Sequence, residues 1–79
     1  MTTLIFKERE KIANATNYDI LNSEIVIGSA IKMDGMEDYQ VRNAGNNETV
    51  FAPAFAACKV VFAITDDLSV VDSNGVAIN

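Results

Sequence analysis

The chain has 79 residues, six lysines and arginines against eleven aspartates and glutamates, a net charge of −5, one cysteine and no histidine. One cysteine closes no internal disulfide, and without histidine a zinc site lacks its common nitrogen ligand, so the usual staples of a small domain are missing. Six scattered cations do not neutralise a phosphate backbone, so nucleic acid is not expected as a direct partner. A chain this short buries only about 60–65% of its unfolded surface, which makes self-association or docking on a protein the expected support.

Residues 1–22 read as an arm or irregular segment ahead of a β-rich core over 23–79, the whole forming one domain. Thr2 to Phe6 is a short β-prone run. Lys7 to Lys11 alternates in sign at every residue. On a helix Lys7 would face Lys11; on a strand Lys7, Arg9 and Lys11 share one side and Glu8 and Glu10 the other. A short helix over 8–15 competes for part of this stretch. Asn14, Thr16, Asn17 and Asn22 then make a polar, turn-prone run around Tyr18, Ile20 and Leu21. Leu4, Ile5 and Phe6, with no basic run before them, do not make a signal peptide. No run approaches the roughly 20 apolar residues of a membrane span. The expected location is the cytoplasm or an assembled virion, with no membrane association.

Residues 24–42 read as a β-hairpin. Ile25, Val26 and Ile27 open a β-branched run in which Ile25, Ile27 and Ile31 share a face at period two. Asp34-Gly35 is a hairpin signal, because a type I′ turn needs positive φ at both central residues. The return strand runs over 36–42, polar enough for an edge. A loop follows at 43–47, rich in asparagine with Gly45.

Residues 49–65 are the most apolar part of the chain. Pro53 bars a central strand and biases Ala52 away from helix. The reading preferred here is an extended piece over 49–51, a helical turn or loop over 53–57, and a doubly buried strand over 59–65 carried by Val60, Val61, Phe62 and Ile64. A helix from Pro53 through Phe62 competes, since proline suits a first helical turn. Asn74-Gly75 signals a second hairpin, with strands over 68–72 and 76–79. The sum is a mostly β chain, a small antiparallel sandwich or barrel with two hairpins, an N-terminal arm and little helix.

Groups that carry chemistry are sparse. With no histidine there is no general base poised near neutral pH. Asp66-Asp67 reads as a turn. Cys58 sits among Ala56, Ala57 and Val60, where cysteine behaves as a small hydrophobe. Asp72-Ser73-Asn74-Gly75 resembles the opening of a calcium loop, but only eight positions remain and the hairpin turn explains the same residues. No phosphate-loop pattern occurs. The expectation is therefore a non-enzyme with no metal and no cofactor.

The apolar fraction of 49% points to a protein interface. Its expected anchors are Leu4, Ile5 and Phe6 on the arm, and Phe51 and Phe55 around Pro53. A small, acidic, β-rich chain of this kind has the character of a viral or phage capsid decoration (cement) protein, a structural protein that clamps a shell and forms a homo-oligomer. The alternative is an acidic inhibitor or adaptor that imitates nucleic-acid charge on a host protein. That reading requires Asp34, Glu37 and Asp38, or Asp66, Asp67 and Asp72, to gather into one acidic face.

Overall fold

The computed structural model describes residues 1–79. Its first element is a strand and not an arm: β1 (Thr2–Ile12) pairs with β2 (Ala15–Asn22), which pairs with β3 (Ile25–Met33). Leu4 and Phe6 point into the core and Ile5 and Lys7 point out, the period-two alternation of a strand. Lys7 to Lys11 continues the strand past the core, shifted by a bulge between Glu8 and Glu10. Two tight connections fold this segment back on itself. Ala13 takes φ 52° in the first, and Ser23 and Glu24 take φ 50° and 69° in the second. The latter is the positive-φ pair of a two-residue hairpin turn.

β3 pairs antiparallel with β4 (Tyr39–Asn43), and β4 with β5 (Thr49–Ala52). The β3–β4 connection is the five residues 34–38, with Gly35 at φ 80°, and not a two-residue turn. A helix, α1 (Ala54–Val61), leaves β5 and leads to β6 (Leu68–Asp72), which lies parallel to β1 on its far side. The sheet order is β5-β4-β3-β2-β1-β6. The expected antiparallel sandwich or barrel is thus replaced by one mixed sheet curled into a half-barrel, open between β5 and β6.

The strand expected over 59–65 is helical up to Val61. Ala54, Ala57, Cys58 and Val61 fall at i, i+3, i+4 and i+7 and are the buried residues of α1. They pack into the concave side of the sheet against Leu4, Phe6, Ile20, Ala30, Tyr39, Val41 and Val70. Pro53 stands at the N-cap, where its missing N–H costs nothing. At the other end Ala63 donates to the Val60 carbonyl and Ile64 to the Lys59 carbonyl, with Ala63 at φ 51°. That is a Schellman stop made without glycine.

After β6, Asn74-Gly75 reverses the chain, with Gly75 at φ 82°. The returning tail makes a single bridge, Val71 to Ala77, and no full strand. Its backbone still covers the β6 edge: Ile78 donates to the Val70 carbonyl and Asp72 to the Val76 carbonyl.

Candidate functional site

The convex side of the sheet carries no helix, since α1 fills the concave side. The register places its residues in rows across the strands. Val71, Ile5, Leu21 and Val26 are successive neighbours on β6, β1, β2 and β3. The next row is polar: Lys7, Asp19, Ser29, Arg42 and Thr49. A third holds Glu10, Asn17, Ile31, Gln40 and Phe51. Opposed side chains in such a row stand about 5 Å apart, so each row is a continuous strip. Ile5 and Ile31 are each 37% exposed, Val26 53% and Phe51 55%. Two members of the polar row have charged or polar partners outside it: Asp19 meets Arg9 at 3.2 Å, and Arg42 donates to Asn47 Oδ1 at 2.6 Å.

The expected interface anchors are scattered by this geometry. Leu4 and Phe6 are buried at 0% and 1% exposure, so they are core residues and offer no free surface. Ile5 lies on the convex side and Phe51 on the same side four strands away. Phe55 is on the outer side of α1, beneath the Lys59 ammonium at 5.9 Å from the ring centre. Leu21, Val26, Ile31 and Val71 were not anticipated as surface residues. A bulge explains part of this. Ile20 pairs with Gly28 and Leu21 with Val26, so Ile27 is an extra residue and the face expected to hold Ile25, Ile27 and Ile31 does not exist.

The concave side has two clefts. One of about 520 Å³ is lined by Lys32, Glu37, Tyr39, Pro53 and the tail Ala77–Asn79. One of about 180 Å³ is lined by Phe6, Glu8, Tyr18, Asp72, Ser73 and Asn74. Between them Phe6, Tyr18 and Tyr39 form an aromatic trio with ring centres 5.4 to 5.9 Å apart. Burial, then neighbouring charge, pushes both tyrosine hydroxyls above their ordinary value; for Tyr18 the charge is Glu8. Burial pushes the Cys58 thiol up to about 12, so it stays protonated near neutral pH and is no nucleophile there. The Thr2 hydroxyl donates to Asp66 at 3.0 Å and holds that carboxyl below its ordinary value.

Asp72 Oδ1 accepts from the Asn74 and Val76 amides, as a turn residue does. No three of the Cys, Asp and Glu side chains stand close enough to hold a metal ion. No helix is long and apolar enough to cross a membrane. Asp66 and Asp34 lie toward opposite ends of β1. Asp66 sits by Thr2 and the chain's amino group, whereas Asp34 pairs with Lys11 at 3.1 Å. Nine residue steps along β1 separate Thr2 from Lys11, roughly 30 Å at about 3.3 Å per step. Comparison with known protein families, curated proteins and solved structures gives no match.

Proposed function

We propose that the chain is a non-catalytic structural domain that works by docking its convex sheet face on a larger protein assembly. The carrying observation is the pair of apolar-bearing rows through Ile5 and Val26, and through Ile31 and Phe51, left open on that face. Such a surface favours burial against a partner. In the polar row between them Asp19 and Arg42 already have partners within the chain, and Lys7 calls for an acceptor on the docked protein. Decoration of a viral capsid remains the particular form of assembly proposed. A repeating shell gives many equal sites, and linked weak contacts then hold firmly. In this form docking proceeds through a face, because β1 is paired on both sides within the sheet.

The test is sedimentation of the chain with assembled particles from its own source, for the native chain and for Ile31→Lys. The native chain is expected to travel with the particles in about 0.5 M salt, where exposed charge contacts are screened to within a few ångströms. Ile31→Lys, still folded, should remain at the top of the gradient. A native chain that never travels with particles overturns the shell reading. Binding that vanishes in salt and ignores Ile31 overturns the apolar face and favours the acidic inhibitor.

A further inference from the structure

The two edges of the sheet are not alike. The β6 edge is covered by the tail through the Val70–Ile78 and Asp72–Val76 backbone bonds. β5 has β4 as its one neighbour, and its outer edge is bare.

Which groups that edge presents follows from the ladder. Asn43 N–H donates to the Glu48 carbonyl at 2.9 Å, so Asn43 and Glu48 form a hydrogen-bonded pair. In an antiparallel ladder such pairs alternate with non-bonded ones. The Val41–Val50 and Tyr39–Ala52 pairs are therefore bonded, and the Arg42–Thr49 and Gln40–Phe51 pairs are not. The N–H and C=O of Thr49 and Phe51 point away from β4, and neither residue's backbone bonds to any loop or turn. Two donors and two acceptors stand ready on a strand that carries no charge in a chain of net charge −5.

We infer that β5 pairs antiparallel with β5 of a second copy, about a two-fold axis through Val50. Opposed residues must lie on the same face, so the pairing must centre on a residue. Centred on Val50, Thr49 faces the partner's Phe51 and the partner's Thr49 faces Phe51. Each N–H then donates to the opposite C=O, four bonds that use every free group of the edge. Centred on Phe51, Thr49 would face the partner's Pro53, which has no N–H, and half the bonds would be lost. In the Val50 register Phe51, more than half exposed in the single chain, lies beside the partner's Thr49. Glu48 of each copy falls opposite Ala52 of the other, which keeps the two carboxylates at opposite ends of the seam.

A second copy brings the same short uncharged edge by symmetry, and the Val50-centred register uses all of its free groups on both sides. The assembly also closes at two: the isologous contact consumes the β5 edges, and the tail blocks the β6 edges. The seam is a single four-residue strand on each side, so the dimer is weak and concentration-dependent. It takes Phe51 at the rim of the convex face and leaves Ile5, Val26 and Ile31 open for the docking proposed above.

The experiment is light scattering of the purified chain from about 10 µM to about 1 mM, the range where a weak dimer forms, together with cysteine cross-linking. The mass is expected to rise from one chain toward two. Phe51→Lys, with an unchanged circular dichroism spectrum, should stay at one chain throughout. Val50→Cys should give a disulfide-linked dimer on mild oxidation, because the two Val50 side chains face each other in a non-bonded pair. Phe51→Cys should not, and the native chain, whose Cys58 is buried, should not either. A native mass of one chain at every concentration overturns the proposal. So does a dimer that survives Phe51→Lys, or cross-linking through Phe51→Cys in place of Val50→Cys. The native mass and the Val50→Cys cross-link alter no residue of the convex rows, so they are read apart from sedimentation with particles.

Discussion

Phe62, the C-cap of α1, lays its ring against Gly28 on β3. A methyl group built on Gly28 would come within 2.8 Å of Phe62 Cζ and would overlap the Arg42 carbonyl oxygen on β4. The helix end is tied to the same place by Asn43, whose Nδ2 donates to the Val61 carbonyl at 3.1 Å. Gly28 is therefore a contact point between helix and sheet, and it is needed for space. Gly28→Ala is expected to destabilise the chain by about 3 kcal/mol, the upper range of overpacking, because one obstacle is backbone and cannot swing aside. Urea unfolding would measure it. A loss below about 0.5 kcal/mol would show that β3 and β4 separate there at little cost.

The alternation on β1 gives a sharper contrast between neighbours. Leu4→Ala empties a fully buried site and is expected to cost about 3 kcal/mol. Ile5→Ala, on the convex face, is expected to cost about 1 kcal/mol or less. Deleting residues 1–7 should then abolish folding, since it removes the strand between β2 and β6. Equal effects of the two substitutions, or a folded deletion variant, would mean that β1 is not seated in this register.

Much of β3 and the turns at Gly35 and Gly75 were legible from β-branched runs and from the Asp-Gly and Asn-Gly pairs. The N-terminal hairpins were not, for a specific reason. Their turns use Ala13, Ser23 and Glu24 at positive φ, positions where glycine or asparagine would have marked the reversal, so the turn-prone asparagines around them read as one irregular stretch. The helix was hidden differently. Its buried stripe Ala54, Ala57, Cys58, Val61 has helical spacing, but Phe55, Ala56 and Val60 between them are apolar too, so no period stands out. The convex face was obscured by the Ile27 bulge, which moves the strand's face by one residue and is invisible in composition.

The same unsignalled turns make a stabilising prediction. Ala63 ends α1 at φ 51°, a conformation that costs an L-residue roughly 1–2 kcal/mol and glycine much less. Ala63→Gly should raise stability by about 0.5–1 kcal/mol, after the greater flexibility of the unfolded chain is subtracted. Glu24→Gly, at φ 69°, should act in the same direction. The check is the midpoint of denaturation at constant slope. A lower midpoint for Ala63→Gly would mean that its methyl group packs well enough to outweigh the strain.

Alkaline pH should expose the cost of burying Cys58. In the unfolded chain the thiol loses its proton near 9.0; in the folded chain burial holds the proton up to about 12. Between those values the folded state binds more protons than the unfolded one, so stability falls as pH rises. The full contribution is present below pH 9 and is lost by about pH 12, on the order of 4 kcal/mol over the whole window. Tyr18 and Tyr39, raised first by burial, add a loss of the same sign above their ordinary 10.0. Cys58→Ala separates the two. It should cost about 1–2 kcal/mol at pH 7, from lost packing. Its deficit relative to the native chain should then shrink between pH 9 and 10, because the variant has no thiol to ionise when it unfolds. Parallel stability curves for the two chains across that interval would mean that solvent reaches the sulfur in the folded state. Convergence would show that α1 keeps its inner face dry against the concave sheet.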